Sequence, residues 1–288
     1  MGAPIDPTKS TSLEMSRRAF AGISVGAAFT GTAAAALAQP QAAYGKPHPP
    51  IVAEDDPSIV VEAVELRRPD GNVSAYAAYP KSLHPDAPCV AISMHIWGID
   101  AQLRDVVRRF AKAGYCAIAP DLYSRWNPPS GDGVTNVAVF RLFAAQLQRK
   151  QYGGDIRAAA LYLMGKAPQG KRAVLGFCMG GHLALLQAVD NGDVFHTVAP
   201  FYGAVKEIDP ADIHIPVCGS YGERDTSIPA EDVRTWKTEL RVPNDIRIYS
   251  TAGHGFFDDT RSSYVASAAD DAWKRTLSFF KDHLGQPS

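Results

Sequence analysis

No block of one charge sign runs through this 288-residue chain: 29 lysines and arginines stand against 30 aspartates and glutamates, for a formal net charge of −1. Charge so evenly balanced makes no field that would draw nucleic acid or an anionic membrane surface. Cysteine is scarce, with four residues, too few to show a disulfide framework in a chain this long. Beyond the N-terminus no apolar run is long enough to cross a bilayer, and no stretch repeats. There is no phosphate loop, no dinucleotide fingerprint and no His/Cys/Asp/Glu set at metal-ligand spacing, so neither cofactor nor metal is expected. What remains is ordinary globular composition, 46% hydrophobic and 20% charged, enough for one large domain or two small ones.

Residues 1–38 do not read as part of the fold. Arg17 and Arg18 precede a weakly apolar, Ala- and Gly-rich stretch that ends in Ala36-Leu37-Ala38, a small-residue cleavage pattern. Ser16-Arg17-Arg18-Ala19-Phe20 resembles the twin-arginine export signal, whose machinery carries folded proteins across the bacterial inner membrane. A periplasmic or secreted product is expected. The alternative is a retained anchor, but Gly22, Ser24, Gly26 and Thr30 make the run a poor spanning helix. Residues 39–57 carry Pro40, Pro47, Pro49, Pro50 and Pro57 and read as an extended linker, leaving 58–288 as the folded domain. Cys89, Cys116 and Cys218 lie in apolar strand-like runs, as buried thiols do; a bridge among them is the alternative.

Segments 59–66 and 73–79, joined by Asp70-Gly71-Asn72, predict an antiparallel hairpin. After it the pattern alternates. Strands are expected at 89–93, 116–120, 173–177, 194–202, 217–221 and 246–250, and helices at 103–110, 137–148, 156–164, 183–189, 231–240 and 264–283. Continuous apolar strands between helices imply an α/β fold: a mostly parallel, twisted sheet with helices on both faces and the hairpin at one edge. In such sheets chemistry collects beyond the carboxyl ends of the strands.

Three of those ends are informative. Gly176-Phe177-Cys178-Met179-Gly180 follows the 173–177 strand and opens a helix, the pattern of a nucleophile elbow with cysteine in the nucleophile's place. The helix N-terminus behind Cys178 favours a thiolate. Asp225 follows the 217–221 strand; it reads as a triad acid or as a plain turn residue, with Glu223 a weaker substitute. His254 sits between two glycines after the 246–250 strand, a poor place for a packed core histidine. The order nucleophile, acid, histidine is that of the α/β-hydrolases. His254 is then the base for Cys178 and Asp225 holds its tautomer. The oxyanion would be met by the N–H groups of Met179 and Ile96. Trp97, Tyr123, Trp126 and Tyr202 follow strands and line either a pocket or the core. His182 reads as a surface residue.

The chain resembles the dienelactone hydrolase family from about residue 91 to 280. The resemblance is carried by His95-Ile96-Trp97-Gly98-Ile99-Asp100, Ala119-Pro120-Asp121-Leu122-Tyr123, Gly176 to Gly181, Gly253-His254-Gly255-Phe256 and Tyr264 to Ala269. It implies a triad at Cys178, Asp225 and His254. Two positions depart from the family. His95 stands where better-known members have a glutamate that helps deprotonate the thiol; a cationic His95 would favour a standing thiolate, and a neutral one would belong to a hydrogen-bond network. Asp258 stands where an arginine grips the substrate carboxylate; Arg125, Arg141 and Arg261 are the candidates to compensate. The expected function is hydrolysis of a small-molecule ester or lactone through an acyl-thioester. The alternatives are a broad carboxylesterase or thioesterase, or a non-catalytic binding protein on the same fold.

Overall fold

The structure, a computed structural model, describes residues 48–288; the expected export signal and the first part of the proline-rich linker lie outside the described residues. Eight strands form one sheet in the order β1-β2-β4-β3-β5-β6-β7-β8. The hairpin β1 (Ile59–Leu66) and β2 (Val73–Pro80) is antiparallel, and β2 runs antiparallel to β4 (Cys116–Pro120). From β4 onward every pairing is parallel, through β3 (Cys89–Ser93), β5 (Arg172–Phe177), β6 (Thr197–Phe201), β7 (Val217–Gly222) and β8 (Asn244–Tyr249).

Strands β3, β4, β6 and β7 are buried at every residue, which is why they read as unbroken apolar runs. Helices α1 (Ala101–Lys112) and α6 (Ala266–Leu284) meet through Phe110, whose ring lies 4.6 Å from Trp273 and 6.1 Å from Phe280. Helices α3 (Arg149–Lys166) and α4 (Met179–Asp190) pack on each other and on the central strands. Helix α5 (Ala230–Glu239) packs against β7. All four cysteines are free; Cys89 and Cys116 stand opposite each other in the β3–β4 register.

The expected helix over 137–148 is shorter, α2 (Ala138–Ala144), and Gln148 turns extended (φ −106°, ψ 133°) before α3 begins. Helix α3 starts seven residues before the expected 156 and runs through Gly153-Gly154, a pair that discourages helix. Packing overrides propensity there: a Cβ on Gly154 would lie 1.9 Å from Nη2 of Arg68. Strand β6 begins at Thr197 rather than 194, because Val194 and Phe195 are buried in the turn that precedes it.

Candidate active site

Between Phe177, the last residue of β5, and Met179, the first of α4, one residue must reverse the chain. Cys178 does so with φ 54° and ψ −120°, a left-handed φ that costs a residue with a Cβ. Its neighbours must be small. A Cβ on Gly176 would lie 2.0 Å from the Gly180 carbonyl oxygen, and one on Gly180 would lie 2.2 Å from that of Ser93. The Cys178 N–H donates to Phe201 O at 3.0 Å, tying the elbow to the end of β6.

His254 Nε2 lies 3.0 Å from Cys178 Sγ, and His254 Nδ1 lies 2.8 Å from Asp225 Oδ2. The other carboxylate oxygen of Asp225 accepts the N–H groups of Ser227 at 2.9 Å and Ile228 at 3.0 Å, which fixes its direction. The three residues arrive from the ends of β5, β7 and β8. Glu223 instead pairs with Arg234. His182 is half-buried rather than a surface residue, with Nδ1 2.8 Å from Ala204 O.

Burial opposes a charged Cys178, but the facing His254, its hydrogen bond and the Met179 N–H outweigh it and hold the thiol below its usual range. Burial likewise works against a charged His254, and the facing Cys178 and Asp225 outweigh it and raise that histidine. The two shifts share one cause, and both favour a thiolate–imidazolium pair.

Met179 therefore stands with its N–H on the sulfur. Ile96 is buried in the loop after β3, and its carbonyl accepts Tyr123 Oη at 3.2 Å; the same hydroxyl lies 3.8 Å from Met179 Sδ. Tyr123 is fully buried and bridges these two residues. Tyr202 (φ 39°) sets its ring edge-on to His254 at 5.2 Å. Trp97 is buried between Arg261, 3.9 Å from its ring centroid, and Phe140 of α2, edge-on at 5.6 Å. Trp126 is half-buried and meets Phe143 of α2 at 6.5 Å. Trp97, Tyr123 and Tyr202 are thus core residues that shape the site, and α2 covers two of them. The sequence offered no sign of α2's role.

His95 is buried, with Nδ1 accepting the Trp97 N–H at 3.2 Å and Nε2 3.2 Å from Asp100 Oδ1, off the line of an ideal hydrogen bond. Asp258 joins them: donor atoms of His95, Asp100 and Asp258 lie within 4.8 Å of one another. These are the residue types of a metal site. The chemistry of the ring argues against one, because an Nδ1 that accepts an N–H leaves the neutral ring's proton on Nε2, the nitrogen facing the carboxylates. Arg261, with Nε 3.6 Å from Asp258 Oδ2, already brings positive charge. Arg125 takes no part here; its guanidinium grips Asp155 at 2.7 and 2.9 Å and Asp70 at 3.1 Å.

The dienelactone hydrolase family model matches residues 73–284. A protein of Escherichia coli (strain K12) named "Putative carboxymethylenebutenolidase" is 34% identical over 253 residues, covering 83% of this chain and 93% of its own length. One of the same name from Yersinia pestis is 36% identical over 223 residues, covering 73% of this chain and 83% of its own. Among solved structures, a "Putative Dienelactone Hydrolase" from Klebsiella pneumoniae superposes with TM-score 0.71 at 29% identity, over 78% of this chain and 99% of that one. The match opens with β2 and closes on the last residue of α6, so it takes in every strand but β1; the chain belongs to the dienelactone hydrolase family and is a carboxylic ester hydrolase of the α/β-hydrolase fold.

Proposed function

We propose that the protein cleaves an ester or lactone with Cys178 as nucleophile, through an acyl-thioester. The observation that carries this reading is the unbroken chain from Sγ to His254 Nε2 at 3.0 Å and from Nδ1 to Asp225 Oδ2 at 2.8 Å. The thiolate attacks the carbonyl carbon, and the oxyanion is met by the N–H groups of Met179 and Ile96. Collapse expels the alkoxide, which takes the proton held on His254 Nε2. His254 then removes a proton from water, the hydroxide attacks the thioester, and the acid leaves as the thiolate returns. Asp225 stabilises the imidazolium formed on the way.

The surroundings favour uncharged substrates. Asp258 occupies the position where the family resemblance puts a carboxylate-gripping arginine. Arg125 is committed to Asp155 and Asp70. Neutral esters and lactones are therefore the expected substrates, with dienelactone itself, a carboxylate, turned over slowly. A panel of chromogenic esters, lactones, thioesters and dienelactone, run on wild type and Cys178→Ala, tests this. Turnover of a neutral member, lost by at least about a thousandfold in the variant, is expected. Thioesters ranking first would favour the thioesterase alternative. Efficient dienelactone hydrolysis would overturn the substrate reading, and inert wild type would overturn the reaction.

A further inference from the structure

The loop after β3 makes a tight turn in which Gly98, at φ 78°, donates its N–H to His95 O at 3.2 Å. Inside that turn the Trp97 N–H points at His95 Nδ1, also at 3.2 Å. An N–H donates to Nδ1 only when that nitrogen keeps its lone pair, so this hydrogen bond belongs to the neutral ring with its proton on Nε2. Nε2 in turn faces Asp100 Oδ1, an oxygen that also caps α1 by accepting Leu103 N–H at 3.0 Å. A polar chain thus runs from the start of α1 through Asp100 and His95 to the Trp97 N–H. Ile96 sits within it, its carbonyl side held by Tyr123 Oη.

We propose that His95 is a positioning residue: in its neutral form, aimed by Asp100, it latches the Trp97 N–H, fixing the Ile96–Trp97 peptide and with it the direction of the adjoining Ile96 N–H that receives the oxyanion. This inference rests on the cysteine-hydrolase reading above. It assigns His95 a role opposite to that of a cation beside the thiolate, since a ring protonated on both nitrogens cannot accept the Trp97 N–H. The charged groups that face His95 come from three elements: Asp100 at the cap of α1, Asp258 and Arg261 from the loop after β8, and Cys178 from the elbow. Burial and Arg261 oppose a second proton on the ring, but Asp100 and Asp258 outweigh them and raise His95 above the ordinary histidine value, so the ring accepts its second proton earlier, as the pH falls, than a free histidine would. The latch therefore opens as the pH falls.

Asparagine provides the test, because its Oδ1 can accept an N–H two residues on, as in an Asx turn, and does not titrate. Wild type, His95→Asn and His95→Ala are compared by kcat on a neutral chromogenic ester and by the rate of Cys178 alkylation with iodoacetamide, each between about pH 5 and pH 9, a range spanning histidine titration. His95→Asn is expected to keep kcat within about threefold and to hold it to lower pH than wild type. His95→Ala is expected to lose roughly ten- to a hundredfold, less than the 10²–10³ that follows outright removal of an oxyanion donor. Alkylation is expected to match in all three, since it uses no oxyanion hole. If His95→Asn is as impaired as His95→Ala, the latch is wrong. A parallel fall of alkylation in both variants also overturns it and makes His95 a thiolate-stabilising cation. Failure of the underlying reading looks different: Cys178→Ala would then keep its turnover whatever His95 does.

Discussion

Cys178 is half-buried and its thiol is still held below its usual range, two conditions that conflict unless a cation stands beside it. Desolvation alone would raise the thiol; His254 reverses the sign. An ordinary thiol near pKa 8.5 is only about 3% ionised at pH 7. Because the Cys178 pKa is lowered, its alkylation rate should climb to the alkaline plateau at a lower pH than that of an ordinary thiol. Removing the partner by His254→Ala should move the curve to higher pH, since burial then acts without its largest opponent. At pH 7 the variant is expected to alkylate more slowly than wild type; superimposable curves would show that His254 does not ionise the thiol. That Cys178, His254 and Asp225 would meet was legible because each follows its own strand and two stand among glycines. The partners of His95 were not: Asp258 lies far away in sequence, and nothing local marks which carboxylates will converge. Asp100 carried only the mark of a helix cap.

Among the elements, the elbow is the junction that sets the site's dimensions. Gly180 lets α4 sit directly on the backbone at the end of β3, with the Ser93 and Met94 carbonyl oxygens 2.2 and 2.5 Å from where a Cβ would stand. That contact sets the Met179 N–H against the loop that carries Ile96. Gly180→Ala must push the helix away from backbone that cannot yield cheaply. It is expected to cost about 3 kcal/mol, the upper end of overpacking, seen as a fall in Tm of roughly 6–12 °C together with loss of turnover. A variant with unchanged Tm and activity would mean that the helix has room to spare. The glycines announced the elbow in the sequence. The sequence separated α2 from α3 but placed the break too late, at 149–155 instead of 145–148; the packing of Phe140 and Phe143 onto Trp97, Tyr123 and Trp126 left no mark in it.

At the scale of the whole molecule, the fold serves to bring three strand ends to one point. The parallel run from β4 to β8 places β5, β7 and β8 with their carboxyl ends on the same side, and Cys178, Asp225 and His254 follow from those ends. The alternation of buried strands and helices was enough to foresee the sheet and its antiparallel edge. The strand order was not foreseeable residue by residue, because β3 and β4 are alike in length and burial. Arg125 illustrates how tertiary structure reassigns a side chain. From sequence it was a candidate for the substrate carboxylate; folded, it joins Arg68 on the buried Asp155. The central claim is that this architecture exists to form and break a thioester at Cys178. It is tested most directly by quenching the enzyme in acid during turnover of a slow neutral ester and reading the mass of the Cys178 peptide. The predicted result is the substrate's acyl group on that peptide, gained in a burst and lost with the kinetics of turnover. Steady hydrolysis with the Cys178 peptide unmodified at every time point would contradict it.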